Sequence, residues 1–280
     1  MSLKDILAIV LGADADAPAI ALAEHLADVH GAALSATFLT ALPDEPLAYE
    51  PTVVAGVWAE LLGRARTEAD EERKRVEAHL KRSGRDVEFR TIEALGRDLG
   101  RVAAVHARYS DLAVLARPRD DAAGDMHFET IEGVLYHAGR PVLVAPPAWN
   151  GGPFAENIVI AWDASREATR ALAEARTFLA QCKRATVLTV DAKPKAFGHG
   201  EQPGLNIAAH LTRRGVNVEV RNADGAGRSI ASVLLDETRA LGGDLLVMGA
   251  YAHSRLREMV FGGATRDVLA TAEVPLLMAH

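Results

Sequence analysis

Gly249, Gly262, Gly263, Ala264 and Thr265 are the first residues whose types and spacing could hold an anion. The apolar run "DLLVMG" ends at Gly249, where a backbone without Cβ lets another group approach closely. A basic stretch with His253, Arg255 and Arg257 follows, and then "GGATRDVLAT" opens as a helix. Consecutive amides at a helix N-terminus, reinforced by the helix dipole, favour phosphate. Thr265 adds a hydroxyl. The same pattern also suits a plain tight loop entering a capped helix, and spacing alone leaves both readings open.

Two other places could take part. Asp163 follows the apolar run "NIVIAW", where a carboxylate could bond a ribose hydroxyl or help cap the next helix. The stretch "GAGRS", Gly225 to Ser229, begins like G-x-G-x-x-G, but its sixth position is Ile230. It also follows the third apolar run of its half and not the first, so it reads as a turn and a helix entry. No G-x-S-x-G, no G-x-x-x-x-G-K-[ST] and no H-E-x-x-H occurs. Catalytic residues and metal ligands are therefore not assigned. The single cysteine, Cys182, forms no intramolecular disulfide and is expected to pack as a buried apolar group.

The elements that must position these residues follow from periodicity. The chain of 280 residues is 49% hydrophobic and 25% charged, enough apolar material for a substantial core. Its net charge of −7 disfavours nucleic acid and anionic membrane as partners. No apolar run reaches the length of a membrane span, and the N-terminal run is too short for a signal peptide, so a cytoplasmic location is expected.

An internal repeat organises the whole. "AHLKRSGRDVEFR" from Ala78 and "AHLTRRGVNVEVR" from Ala209 agree at eight of thirteen positions. "DLAVLA" from Asp111 answers "DLLVMG" from Asp244, and Pro141 answers Pro275. The Pro- and Gly-rich "APPAWNGGPFAEN" reads as a linker between domains at 1–147 and 154–280.

Each half alternates short apolar runs with amphipathic segments. In the second half the strands are Asn157 to Trp162, Ala185 to Val190, Val216 to Arg221, Asp244 to Gly249 and Val274 to Ala279. Helices lie between them, one of them capped by Ser165 and carrying Ala168, Leu172, Ala175, Phe178 and Leu179 on one face. The expected fold is α/β, with two tandem doubly wound domains. Each would be a five-stranded parallel sheet with helices on both faces. The first half follows the same plan with a longer second helix. Its apolar stripe would run through Val54, Trp58, Leu61, Ala65, Ala69, Val76 and Leu80, with Asp70–Lys74 and Glu71–Arg75 pairs on the outside.

Two such halves, with "DLLVMG" leading into a glycine loop and a closing "VPLLMAH", resemble a tandem universal stress protein. The resemblance covers essentially the whole chain. Nucleotide-binding members of that family carry G-x-x-G, nine residues, then G-[S/T]. Here Gly249 and Gly262 match, while Ala252 and Gly263 depart. The resemblance implies that Asp163 faces the ribose and Val190 the adenine, while Met248, Gly249, Gly262, Gly263 and Ala264 line the phosphate path. Ala252 lies on that path too, and Thr265 could supply the hydroxyl that Gly263 lacks. In the first half Leu11, Ala116, Phe128 and Glu129 take the places of Asp163, Gly249, Gly262 and Gly263, so no nucleotide is expected there.

The resemblance further implies an intrachain pseudo-dimer related by a pseudo-twofold, with "PVLVAPP" and "PLLMAH" meeting at its centre. It leaves pairing of two chains open. The expected function is a cytoplasmic stress-response regulatory module that takes ATP or another adenine nucleotide in its C-terminal domain only. Any ATP hydrolysis would be slow. One alternative is a stress-response protein that works through contact with an unknown protein partner and binds no nucleotide. The other is a nucleotide-using enzyme on the same fold.

Overall fold

The computed structural model describes residues 2–44, 51–120, 122–194, 201–251 and 263–280. The chain divides into two compact units, Lys4–Arg140 and Pro141–His280, the latter joined by Met1–Leu3.

In the first unit β1 (Asp5–Val10), α1 (Ala17–His30), β2 (Ala33–Leu42), α2 (Pro51–Arg82), β3 (Val87–Leu95), α3 (Leu99–Ala107), β4 (Leu112–Ala116) and α4 (Ala122–His137) follow in order. The strands lie in the order β3-β2-β1-β4, and the pairings of β1 with β2 and β4 and of β2 with β3 are parallel. All of β4 and all but the first residue of β1 are buried, as strands covered on both faces must be. Parallel neighbours require crossovers, which the intervening helices supply.

The long α2 departs from its expected stripe. Val76 and Leu80 are buried, but Leu61 is 46% exposed and Trp58, Ala65 and Ala69 are only half-buried. The side chain of Val54 is outside the described set. Periodicity marks the face a helix would bury, yet of the described stripe residues only Val76 and Leu80 are buried. Lys74 pairs with Asp70 at 2.6 Å as expected, whereas Arg75 pairs with Glu72 at 2.6 Å and Asp14 at 2.5 Å in place of Glu71.

The second unit begins with β5 (Val142–Ala145), the closing strand of the first repeat. It continues through β6 (Asn157–Ala161), α5 (Arg166–Glu174), α6 (Arg176–Leu179), β7 (Arg184–Val190), α7 (Leu205–Thr212), β8 (Val218–Ala223), α8 (Ile230–Ala240), β9 (Leu245–Gly249), α9 (Ala264–Thr271) and β10 (Leu276–Ala279). The strand order is β5-β10-β9-β6-β7-β8. Every pairing from β10 to β8 is parallel, and β5 runs antiparallel to β10 with Leu143 opposite Leu277. The closing strands of the two repeats thus meet, and each repeat contributes five strands.

The helix expected after Ser165 is present but broken at Ala175. There Phe178 N–H reaches back three residues to the Ala175 carbonyl, which tightens the turn. Ser165 is its N-cap, accepting from Ala168 N–H at 3.0 Å. Cys182 is half-buried, less covered than expected, and its thiol donates to the Leu179 carbonyl at 3.3 Å.

Asp111 and Asp244, the aspartates that open the matching runs of the repeat, do the same work in each unit. Asp244 accepts from the amides of Glu156 and Asn157, both at 3.0 Å, at the start of β6. Asp111 accepts from those of Lys4 and Asp5, at 2.7 and 3.1 Å, at the start of β1. Both clamps sit at the opposite end of the strands from the loops that could bind a ligand.

Candidate functional site

In the second unit the chain leaves β6 toward β7 and β8 on one side, while β9 and β10 lie on the other. The order therefore reverses between β6 and β9. Open α/β sheets hold ligands outside the carboxyl ends of their strands at such a point. Three sequence-predicted residues arrive there on neighbouring strands. Gly249 ends β9, Asp163 lies two residues past β6, and Val190 ends β7. Met248 precedes Gly249 and is buried.

The remaining predictions fall at the start of α9. Gly263 is its N-cap, and no side chain caps the helix. Ala264 is its first residue and is half-buried. The amides and the dipole of a helix N-terminus such as this one favour an anion. Ala252 and Gly262, with His253, Arg255 and Arg257, lie outside the described residues.

Local bonds give several of these residues definite work. Asp163 is exposed, and its Oδ1 accepts from Ser165 N–H at 2.9 Å. It closes the turn that presents the Ser165 cap, which is the structural one of the two roles expected of this carboxylate. Thr265 is buried, and its hydroxyl accepts from Tyr251 N–H at 3.2 Å. Thr265 thereby pins Tyr251, which holds a left-handed backbone at φ 57° just beyond β9. The stretch from Gly225 to Ser229 is a turn and a helix entry. Asp191 Oδ1 accepts from Gly225 N–H at 2.8 Å, and Ser229 caps α8.

Two residues near the crevice were missed by sequence reasoning. Tyr251 carries no pattern that marks it. Glu167 does carry one, since it lies four residues before Ala171 on the face of α5 that meets the sheet. It is buried in the first turn of α5, and its Oε1 accepts from Arg166 Nε at 2.8 Å. A Cβ at Gly249 would lie 2.6 Å from the Glu167 carbonyl carbon and 2.9 Å from its Cβ. The absence of a side chain at Gly249 is thus what lets α5 close on the end of β9.

The matching region of the first unit is built differently. Its last helix, α4, starts at Ala122, eight residues ahead of Thr130, the counterpart of the first residue of α9. Phe128 and Glu129 therefore lie inside a helix, where their amides serve the backbone ladder. The loop after β1 is held by the protein's own carboxylates. Asp16 Oδ2 accepts from the amides of Leu11 and Gly12 at 2.6 and 2.9 Å, and Glu72 Oε2 accepts from Ala13 N–H at 2.7 Å. His127 Nε2 stands 2.8 Å from Asp16 Oδ1, and both side chains are buried.

No cluster of three or more metal-ligating side chains occurs among the described residues, and none of their helices is long and apolar enough to cross a membrane.

Residues 155–280 match the model of the universal stress protein family. The fold of the entire chain is similar to that of a universal stress protein from Archaeoglobus fulgidus DSM 4304. That match has 14% identity and a TM-score of 0.62, and covers 99% of this chain and 96% of the other. It is similar as well to a putative universal stress protein from Pseudomonas aeruginosa UCBPP-PA14, with 15% identity, a TM-score of 0.54 and coverage of 99% and 93%. At these identities the two structures share the fold. No curated protein sequence matches the chain.

Proposed function

On the premise that residues 155–280 belong to the universal stress protein family, we propose that this half is a regulatory module that binds an adenine nucleotide. One observation carries the reading. Asp163, Val190 and Gly249, far apart in sequence, end adjacent parallel strands at the point where strand order reverses. The uncapped α9 begins beside them, its first turn tied through Thr265 to Tyr251, two residues beyond β9. In this reading Val190 meets the base, the free oxygen of Asp163 meets the ribose, and Gly263 with Ala264 offers amides to phosphate.

The first half takes no nucleotide in this reading. Asp16 and Glu72 already use the amides that a ligand would need, and α4 runs through the place of the loop. Among the described residues no metal-ligating cluster accompanies the site, and in this reading the nucleotide acts as a bound signal.

Isothermal titration with AMP, ADP and ATP tests the proposal. Saturable heat with one site per chain is expected, and Gly262→Asp should abolish it. Neither heat nor a thermal shift at millimolar nucleotide would leave contact with a protein partner as the better reading.

A further inference from the structure

Glu167 is placed where a site for a polyphosphate would not want it. Acidic side chains are rarely buried without compensation. At the second position of α5 a carboxylate is favoured by the helix dipole, and that alone would be satisfied by a side chain in water. Here only 7% of the side chain is exposed. It lies on the sheet side of α5, with its Cβ against Gly249. Its charge partner among the described residues is Arg166, 2.8 Å away, whose own side chain is 83% exposed. The positive charge is therefore screened by water, while the negative charge is buried on a residue whose backbone and Cβ pack against Gly249 at the end of β9. Like charges repel more strongly there than in bulk water.

We infer that Glu167 is a charge filter, so that the C-terminal site selects adenosine or a nucleoside monophosphate over a triphosphate. The inference rests on the adenine-nucleotide reading and adds to it the class of ligand. Each further phosphate charge that approaches Gly249 meets the buried carboxylate. Glu167→Gln keeps the shape and removes the charge. Arg166→Ala keeps the carboxylate and removes its compensation.

The experiment is titration of the full-length protein with adenosine, AMP and ATP in buffer free of divalent cations. Wild-type protein should bind AMP at least tenfold more tightly than ATP. Glu167→Gln should shrink that ratio at least fivefold, chiefly by tightening ATP, and Arg166→Ala should widen it. Equal wild-type affinities for AMP and ATP would overturn the filter without any variant. So would a Glu167→Gln protein whose affinities all move together, as a purely structural role in α5 demands. Absence of binding by all three ligands is a different result, because it removes the nucleotide reading itself.

Discussion

The backbone of Glu167 occupies the space where a side chain on Gly249 would project. A Cβ there would lie 2.6 Å from the Glu167 carbonyl carbon and would also meet the Ala168 nitrogen. Backbone atoms at the start of a capped helix cannot step aside as the end of a flexible side chain can. Gly249→Ala should therefore destabilise the protein by about 1–3 kcal/mol, the usual cost of overpacking. Gly152→Ala is the control, since a Cβ there meets nothing within 4 Å. Thermal melts of the two variants check this. A Gly249→Ala protein as stable as the control would mean that α5 does not close on β9.

The paired His127 and Asp16 give a second expectation. The carboxylate holds two backbone amides and faces a buried ring, so it is an acceptor of three bonds. Asp16→Ala would orphan the amides of Leu11 and Gly12 together with the His127 Nε2. A loss of about 3–5 kcal/mol is expected for breaking such a buried pair from one side. His127→Ala should cost less, because Asp16 keeps its amides. Denaturant unfolding measures both. Nucleotide titration of His127→Ala should match wild type, and a lost site there would place a ligand in the wrong half.

Much of the fold could be read from the sequence, and the reasons are physical. Ile158 to Ile160 and Leu245 to Val247 are continuous apolar runs because both faces of their strands are covered. Ser165 announced its helix as a cap. The resemblance implied that the two closing strands meet, and β5 and β10 do so with Leu143 opposite Leu277. Other features needed three dimensions. Periodicity marked Leu61 as a core position, but Leu61 is 46% exposed, since periodicity names a face and not what covers it. Gly249 looked like room for a ligand, whereas its Cβ side is filled by α5. Glu167 was passed over because a glutamate in the first turn of a helix is ordinary, although its spacing from Ala171 puts it on the buried face of α5.

Cys182 gives a prediction in pH. Burial pushes its thiol above the ordinary value, and the negative charge of Asp244 adds to the effect. A raised acid stays neutral to higher pH, so less of it is the reactive thiolate at pH 8 than for a free cysteine, whose pKa is about 8.5. Alkylation by iodoacetamide at pH 8 should be several-fold slower than that of glutathione, with the rate still rising past pH 9. An inflection below pH 8.5 would show an activated thiol instead.

The two oxygens of Asp163 allow its structural and binding roles to be separated. Oδ1 accepts from Ser165 N–H at 2.9 Å and shapes the turn before α5. The proposed ribose contact falls to Oδ2. Asp163→Asn keeps an oxygen for the turn and replaces the other by an amide that cannot accept. The variant should keep the wild-type melting temperature. It should bind AMP roughly 10- to 100-fold more weakly, the equivalent of one hydrogen bond to a charged group at about 1.5–3 kcal/mol. Asp163→Ala should lose affinity to the same degree and also melt a few degrees lower, because Ser165 N–H is left without its partner. If Asp163→Asn binds AMP as wild type does, the carboxylate serves the turn alone and the ribose must be held from another strand end.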